Sequence, residues 1–327
     1  MTLFLSQTFG VSLKMPITLD AAREARLNIA GIAIRTPLVR LNTDAAGEHE
    51  IYLKLENLQP IGSFKIRGAA NAIAKTPQDR LAKGLLTASA GNMAQGVAFC
   101  ARRLNIPATV IAPDSAPETK LRAIERLGGR IIKAPFDQWW RAFEERSFPG
   151  VDATFIHAFD DLNVMAGNGT IGLELIEDLP ELDAVVVPWG GGGLACGIAA
   201  VVKVLRPSVR VYAAEAETAA PLAAALKAGT PQMVDYQRSF VDGIGSKIVF
   251  PSMLAEAQRL IDGSIVMPLQ EIALAMKFVA ERSRVISEGA AACAVAAALS
   301  GKAGRGKIVA VVSGGNIDLK KFCELAG

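Results

Sequence analysis

The stretch VVVPWGGGGLACG, residues 185–197, carries the strongest signal for the fold. A run of β-branched residues leads into Gly190, Gly191, Gly192 and Gly193, and a helical pattern of small residues starts at Leu194. Consecutive glycines allow positive φ and turn several N–H groups into one concavity, and the N-terminus of the following helix adds partial positive charge. The stretch therefore predicts a strand, a phosphate-binding turn and a helix.

The same alternation of short apolar runs and helical periods continues along most of the 327 residues. The candidate strands are IYLKLE, LLTAS, ATVIAP, RIIKAP, TFIHAF, AVVVPW, VRVYAAE, SIVMP and KIVAVVS. Amphipathic segments such as NMAQGVAFCARRLN and LQEIALAMKFVAERSR lie between them. This pattern predicts an α/β protein with two open, twisted, mostly parallel sheets flanked by helices.

Composition argues against several classes of protein. The net charge of +3 comes from 35 basic and 32 acidic residues spread along the chain, which predicts no nucleic-acid partner. Apolar runs such as LACGIAAVVKVL are cut by Lys203 and Arg206 before the roughly 20 residues that a bilayer requires, which predicts no membrane partner. The N-terminal segment has no basic region ahead of its apolar patch, so we predict no signal peptide, with Met15 as an alternative start.

Four widely spaced cysteines lie in apolar helical patterns and form no Cys-x-x-Cys pair. This spacing predicts core thiols in a reducing compartment and therefore a cytoplasmic protein. The cysteines are Cys100, Cys196, Cys293 and Cys323.

One interpretation of the glycine turn is a dinucleotide site. Gly190, Gly192 and Ala195 satisfy the pattern G-x-G-x-x-A, and Glu215 follows at about the distance expected of a ribose-binding acid. This keeps an NAD-dependent oxidoreductase as an alternative. A lone glycine pattern is weak evidence, however, and three more turns need an explanation, at residues 62–68, 89–96 and 313–316.

Lys65, in the segment GSFKIRGAANAI, stands among small and apolar residues where a helix is predicted to start. Ser63 is the predicted N-cap, which places Lys65 in the first turn. The positive end of the helix, the apolar neighbours Phe64 and Ile66, and nearby Arg67 all disfavour an ammonium there. An amine tuned in this way predicts a nucleophile that forms Schiff bases, including one with the aldehyde of pyridoxal phosphate.

Taken together, the four turns resemble one family. SFKIRG from Ser63 resembles the pyridoxal-lysine motif of the serine/threonine dehydratases, which are fold-type II pyridoxal-phosphate enzymes like serine racemase. SAGNMAQG from Ser89 resembles the family's Ser-x-Gly-Asn-His loop, and GGGGL from Gly190 resembles its phosphate loop. SGGN from Ser313 resembles the loop that faces the pyridine nitrogen. The motifs stand in the family's order and cover nearly the whole chain.

The resemblance implies a role for each of these residues. Lys65 would be the catalytic residue, holding pyridoxal 5'-phosphate as a Schiff base and then removing the Cα proton of the substrate. The implied cofactor-binding residues are Lys65, Phe64, Asn92, Gly190, Gly191, Gly192, Gly193, Leu194 and Ser313. The implied substrate-binding residues are Ser89, Ala90, Gly91, Asn92 and Met93.

The implied reaction is α,β-elimination of water from an L-β-hydroxy amino acid such as threonine or serine, which yields a 2-oxo acid and ammonia. Ala90 stands where serine racemase carries its second-face serine base, which favours elimination over racemisation. Met93 replaces the loop's usual histidine, and our hypothesis is that this favours a larger or less polar substrate, phenylserine being one candidate. A racemase or another lyase of the same family remains an alternative.

The resemblance also gives expectations for other acidic residues, and the number of histidines limits the possible metal sites. Glu288 resembles a glutamate near the cofactor ring of relatives, although Gly289 replaces the usual proline. Pro221 stands where a second acid of a relative's divalent-cation site would fall, so we predict no metal. With only two histidines in the chain, a three-histidine metal site is excluded, and His157 is predicted to be a core histidine.

The resemblance also implies the domain organisation. The large cofactor-binding domain would combine residues 1–52 and 158–327, and a small mobile domain, residues 53–157, would carry the loop that begins at Ser89. We expect a homodimer. Because the chain ends shortly after SGGN, we expect no regulatory domain and no feedback by isoleucine.

Overall fold

The computed structural model of the chain describes residues 17–43 and 49–327. The predictions about a signal peptide and an alternative start at Met15 lie outside these residues. The ten strands in the described part are β1 (Leu38–Arg40), β2 (His49–Leu55), β3 (Leu85–Ala88), β4 (Ala108–Pro113), β5 (Arg130–Ala134), β6 (Thr154–Phe155), β7 (Ala184–Pro188), β8 (Arg210–Ala216), β9 (Gly263–Met267) and β10 (Gly306–Val312).

Thirteen α-helices accompany these strands within the same residues, together with a single 3-10 turn, Glu56–Leu58. They are α1 (Leu19–Asn28), α2 (Lys65–Ala74), α3 (Gln78–Leu81), α4 (Asn92–Leu104), α5 (Glu118–Arg126), α6 (Phe136–Glu145), α7 (Leu162–Asp178), α8 (Gly193–Leu205), α9 (Pro221–Ala228), α10 (Pro251–Leu260), α11 (Leu269–Ser283), α12 (Gly289–Leu299) and α13 (Leu319–Ala326).

The strands form two sheets, as the sequence predicts. The larger sheet has six strands in the order β1-β2-β10-β7-β8-β9, and only β1 runs antiparallel to its neighbour. The smaller sheet has four parallel strands in the order β5-β4-β3-β6. Every strand predicted from an apolar run is present, whereas β1 was not predicted because its three residues, Leu-Val-Arg, show no apolar run.

The core of the six-stranded sheet follows the two-residue period of a strand. Val185 and Val187 of β7 belong to the cluster on one face, and Ala184 and Val186 belong to the cluster on the other. Helices α7, α8 and α10 cover the first face, while α11 and α12 cover the second. Both faces are therefore buried, which is why its central strands read as continuous apolar runs.

Helix α12 shows how composition matches position. Its sequence GAAACAVAAAL has no charged residue, and residues 289–298 are all buried. A helix that is apolar all round belongs in the interior, and its many alanines favour the helical state. Because alanine is small, the helix can pack close to β10, β7 and β8.

The structure bears on the predicted domain boundary. The predicted domain boundary between residues 52 and 53 falls inside β2, whose residues 53–55 still pair with β10. The division of the chain into a large and a small domain stays a prediction.

The prediction of four core thiols is wrong for Cys323, which is exposed because α13 buries only Phe322, while the other three thiols are buried. Within residues 17–43 and 49–327, no helix is long and apolar enough to cross a membrane.

Candidate active site

Contacts among the predicted loops bring them to one place between the two sheets. Parallel strands end at the same edge of a sheet, so the loops after β7 and β10 share the C-terminal edge of the larger one. The backbone N–H of Phe64 donates to the Ser313 carbonyl at 2.9 Å. Asn316 Nδ2 donates to Asn92 Oδ1 at 2.7 Å. The lysine segment, the loop from Ser89 and the loop from Ser313 therefore meet.

Lys65 is the first residue of α2, so its predicted place in the first turn is confirmed. The predicted N-cap is wrong: Phe64 occupies that position, and no side chain caps the helix. The Ser63 hydroxyl is fully buried and has no hydrogen-bond partner among the described residues. The segment is instead tied down by its backbone, through a bridge from Ser63 to Gly314 and the bond from Phe64 to Ser313.

The amine of Lys65 has few partners for a charge. Its Nζ donates to the Ala158 carbonyl at 2.7 Å and lies 5.1 Å from the centre of the Phe64 ring. Desolvation lowers the pKa of Lys65 to about 8, although the carboxylate of Glu288 acts in the opposite direction. At pH 8 about half of such amines are neutral and nucleophilic.

Arg67 does not contribute to this effect, which corrects the sequence analysis. Its guanidinium is buried and pairs with two carboxylates: Nε and Nη2 contact Glu56 at 2.8 Å each, and Nη1 and Nη2 contact Glu174 at 2.6 and 2.9 Å. Lys54 adds a third ion pair, 2.6 Å from Glu174. The charge of Arg67 is thus satisfied inside the protein, and it fixes α2 to the 3-10 turn after β2 and to α7.

The glycine turn follows β7 and leads into α8, as predicted. Of its four glycines only Gly192 has positive φ, at 90°. Gly191 is required for a different reason: a Cβ there would lie 2.0 Å from the Phe159 ring, and one at Gly193 would lie 2.7 Å from the Phe159 carbonyl. Close approach of Phe159, rather than unusual φ, therefore explains these two glycines. Leu194 is buried in the core behind the turn.

The turn and the lysine are connected through two consecutive residues. Ala158 accepts the hydrogen bond from Lys65, and the next residue, Phe159, packs on Gly191 and Gly193. The lysine amine and the predicted phosphate-binding turn therefore lie on either side of one short segment. Because Ala158 and Phe159 have no charge or motif that marks them, the sequence analysis did not find this segment.

Asn92 starts α4 and contacts the larger sheet's loops through its side chain. Its Nδ2 donates to both carboxylate oxygens of Glu288, at 2.9 and 3.2 Å. Burial raises the pKa of Glu288 to about 7, with hydrogen bonding from Asn92 acting against the rise. Ser313 follows the last residue of β10, and its side chain is buried.

The loop from Ser89 has two kinds of residue. Ser89, Ala90 and Gly91 are partly exposed, and the Ser89 hydroxyl accepts a hydrogen bond from the Gly91 N–H at 3.2 Å. Met93, in contrast, is 2% exposed and belongs to the buried apolar cluster of Ile66. The Met93 side chain thus fills the core, and the hypothesis that it selects a β-aryl substrate has no support from its position.

Glu215 tells against the dinucleotide interpretation. Its carboxylate is fully buried and accepts hydrogen bonds from the backbone N–H groups of Leu222 and Ala223, both at 2.8 Å, and from Ser264 Oγ at 2.6 Å. These contacts cap α9, whose first residue is Pro221. The acid that a ribose would need is therefore committed to the fold.

No group of three metal-ligating side chains is present in residues 17–43 and 49–327, and the prediction of a metal-free enzyme stays a prediction. His157 is buried, as predicted, and its Nδ1 accepts hydrogen bonds from the backbone N–H groups of Phe159 and Asp160 at 3.2 and 2.8 Å. The histidine shapes the segment that lies between Lys65 and the glycine turn.

Sequence reasoning also missed the two buried acids that hold Arg67. Glu56 closes the predicted strand IYLKLE, and Glu174 lies within the apolar helical run TIGLELI. A carboxylate inside an apolar period is a usable signal, because a buried charge requires a partner. The sequence did not identify that partner, since Glu174 lies 107 residues from Arg67.

Comparison with known proteins identifies the family of this chain. The family model described as pyridoxal-phosphate dependent enzyme matches residues 29–314. The chain is 40% identical to the L-threonine ammonia-lyase of Thermotoga maritima over 311 residues, which cover 93% of this chain and 76% of that protein. It is 37% identical over 315 residues to the catabolic L-threonine dehydratase TdcB of Staphylococcus aureus, covering 93% of this chain and 90% of the relative.

Solved structures give the same result for the fold. Maize serine racemase superposes with a TM-score of 0.87 at 33% identity, covering 95% of this chain and 97% of that chain. The processed form of threonine deaminase isoform 2 from Solanum lycopersicum superposes with a TM-score of 0.81 at 33% identity, covering 96% of both chains. The matched family region includes the lysine, the glycine turn and Ser313. This chain belongs to the family of pyridoxal-phosphate dependent enzymes.

Proposed function

We propose that this enzyme is an ammonia-lyase that converts L-threonine or L-serine to a 2-oxo acid and ammonia. The observation that carries the proposal is the position of the Lys65 amine, which donates to the Ala158 carbonyl at 2.7 Å, one residue before the Phe159 that packs on the glycine turn. Desolvation there lowers the pKa of Lys65 to about 8. Relatives at 37–40% identity are named L-threonine ammonia-lyase and L-threonine dehydratase, which supports the choice of substrate class.

The residues present fit pyridoxal phosphate. An aldehyde requires a nucleophilic amine, and Lys65 provides one at a backbone carbonyl next to the glycine turn. A phosphate requires N–H donors, and the turn at the start of the 13-residue helix α8 offers backbone N–H groups and the helix dipole. The buried, unpartnered hydroxyl of Ser63 is a further donor close to the lysine.

When bound, the cofactor supplies an aldehyde for the substrate amine and a ring that withdraws electrons from Cα. In our proposal Lys65 Nζ holds the cofactor and then accepts the Cα proton. Residues 190–194 bind the phosphate, Asn92 binds the ring hydroxyl, and Ser313 lies at the pyridine nitrogen. Ser89, Ala90 and Gly91 bind the substrate carboxylate, and Phe64 contacts the cofactor.

We propose elimination rather than racemisation because Ala90 has no hydroxyl. Racemisation requires a second acid on the opposite face of Cα, and the resemblance places that acid at this position. The family includes racemases that superpose well, so the distinction must rest on this residue rather than on the fold. Deuterium exchange at Cα of serine with loss of configuration would support racemisation, while release of 2-oxo acid alone supports the lyase.

A small β-substituent is our proposal for the substrate. The β-aryl alternative relied on Met93, and that side chain is 2% exposed. The test is a panel of L-threonine, L-serine and L-phenylserine, with 2-oxo acid release measured under saturating cofactor. We expect kcat/KM to be highest for threonine or serine. If phenylserine has the highest value, this substrate assignment is wrong.

The domain organisation is part of the proposal. A salt bridge of 2.6 Å joins Lys120 on α5 to Asp242 in the segment after α9, and the bond from Asn316 to Asn92 makes a second link between the parts that carry the two sheets. These contacts suit a small domain, residues 53–157, that closes on a large domain, residues 1–52 and 158–327, to exclude water, with residues 53–55 staying paired with β10 of the large domain. A cytoplasmic homodimer is proposed on the resemblance, and light scattering tests the dimer.

A further inference from the structure

The amide of Asn92 is held by two side chains that come from other parts of the chain. Asn92 Nδ2 donates to Glu288 Oε1 at 2.9 Å and to Oε2 at 3.2 Å. Asn316 Nδ2 donates to Asn92 Oδ1 at 2.7 Å. Each end of the Asn92 amide therefore has its own partner, on the N-terminal side of α12 and in the loop after β10.

The bonding pattern favours one orientation of the Asn92 amide. Asn316 Nδ2 also donates to the Ile61 carbonyl at 2.9 Å, and because a carbonyl only accepts, this contact fixes which end of Asn316 is the donor. A reversed Asn92 would place NH2 against NH2 at Asn316 and oxygen against the carboxylate of Glu288. Two partly buried contacts would be lost and two repulsive ones formed, so the reversed state is disfavoured.

Glu288 is also fixed. Its side chain is buried, and it accepts a hydrogen bond from the backbone N–H of Asn316 in addition to the Asn92 amide. Gly314 gives it room, since a Cβ at that position would lie 2.7 Å from Glu288 Oε1. Asn92, Glu288 and Asn316 thus form a closed triangle in which every side is a hydrogen bond.

The triangle leaves one donor free. The two oxygens of a carboxylate subtend a small angle at Asn92 Nδ2, so they share one of its hydrogens and leave the other. We propose that Asn316 and Glu288 are positioning residues that hold the Asn92 amide so that this second hydrogen is presented to the cofactor ring. The inference rests on the cofactor contact proposed above for Asn92.

A double-mutant cycle tests the inference by the affinity of the apoprotein for pyridoxal phosphate. The variants are Asn316→Ala, Asn92→Ala and both together, with Kd obtained by titrating apoprotein and following the visible band. Loss of one oriented hydrogen bond predicts a Kd about tenfold higher for each single variant. Because Asn316 acts through Asn92, we expect the double variant to resemble Asn92→Ala alone, with no further loss.

A second pair of variants tests Glu288 in the same way. Glu288→Gln retains an acceptor oxygen for Asn92 and is expected to raise Kd less than Glu288→Leu, which retains none. The matched control is Asn57→Ala, since Asn57 Nδ2 donates to the Ile286 carbonyl at 3.2 Å and Asn57 is not a hydrogen-bond partner of the Asn92 side chain among the described residues. We expect Kd of this control to stay within about twofold of wild type.

The outcomes separate this inference from the proposed function. If Asn316→Ala raises Kd equally in the presence and absence of Asn92, Asn316 has a general structural role and the inference is wrong. The same conclusion holds if Asn316→Ala leaves Kd unchanged, or if Glu288→Gln and Glu288→Leu have equal effects. A wild type that binds the cofactor and gives the expected cycle but does not act on threonine or serine overturns the proposed function alone.

Discussion

Lys65 and Arg67 lie two residues apart at the start of α2, and the protein treats their charges in opposite ways. Arg67 is buried among Glu56, Glu174 and the hydroxyl of Thr170, and these partners raise its pKa against the effect of burial. Lys65 contacts a neutral carbonyl, and burial lowers its pKa to about 8. Both side chains are desolvated, so the difference lies in the number of carboxylates within reach.

This difference separates two tasks that one short helix must perform. The paired charge of Arg67 holds α2 to the 3-10 turn after β2 and to α7, whereas the amine of Lys65, which has no carboxylate hydrogen-bonded to it in the described part of the chain, remains available for chemistry. Glu288 is the carboxylate whose charge favours the ammonium form of Lys65, and burial raises the pKa of Glu288 itself to about 7. Near neutral pH, Lys65 and Glu288 are therefore less fully charged than Arg67 and its partners Glu56 and Glu174.

The largest effect on activity is expected from replacing Lys65. Lys65→Ala should abolish the covalent bond to the cofactor and lower the elimination rate by at least about 10³-fold, because it removes both the nucleophile and the proposed base. Absorbance of the purified protein and mass spectrometry after borohydride reduction measure the bond. Lys75→Ala, at the end of the same helix, is the control. A borohydride-stable adduct on a different lysine would contradict the assignment.

Replacing Arg67 should lower the stability of the fold more than it lowers the catalytic rate. Arg67→Met leaves Glu56 and Glu174 buried beside fewer cations, and we expect the free energy of unfolding to fall by about 3–5 kcal/mol. Denaturant titration of the apoprotein measures this change. Arg122→Met, in an exposed i,i+4 pair with Glu118, should change it by less than about 0.5 kcal/mol. Equal losses for the two variants would show that the buried pairing is unimportant.

The third prediction concerns Glu288 and pH. Because folding raises the pKa of Glu288 from 4.5 to about 7, the folded protein binds more protons than the unfolded chain between these values. Its contribution to stability is therefore present below pH 4.5 and lost as pH rises towards 7. Relative to Glu288→Gln, which does not titrate, the wild type should lose about 3 kcal/mol across this window. Denaturant titrations of both apoproteins at several pH values measure the difference.

The control for this pH experiment is Glu118→Gln, which removes an exposed carboxylate instead. Its stability relative to wild type should vary little over the same window. A difference between wild type and Glu288→Gln that is constant from pH 4.5 to 7 would mean that the Glu288 carboxyl is not held in the desolvated state described above.

The sequence predicts the fold and the members of the site better than it predicts their surroundings. Strands buried on both faces read as apolar runs, and turns after such strands collect at one edge of a sheet, so Lys65, the glycine turn and the loop at Ser313 could be grouped. The partners of Arg67 could not be predicted, because they are 11 and 107 residues away. Without these partners, the sequence wrongly indicates that the charge of Arg67 lowers the pKa of Lys65.

The environment of the other site residues shows the same limit. Ser63 has the right residue type and spacing for an N-cap, but the backbone N–H of Phe64 donates to Ser313, and the helix starts one residue later than predicted, with Phe64 as its N-cap. Met93 stands in a loop motif, yet the first turn of α4 directs it into the core. Motif membership fixes the position of a residue along the chain, and only packing decides whether its side chain faces the cleft.

The smallest predicted effect is a shift in the pH at which the Lys65 amine becomes reactive. Only the neutral amine attacks an aldehyde, so the rate at which apoprotein gains the visible cofactor band should rise with pH and level off above about 8, well below the 10.5 of an ordinary lysine. Because Glu288 stabilises the ammonium, Glu288→Gln should move the midpoint down by less than about one pH unit. The same reaction with free Nα-acetyl-lysine corrects for ionisation of the cofactor itself. A midpoint near 10.5, or an upward shift in the variant, would mean that the amine is paired like Arg67, and the contrast between the two residues would then be lost.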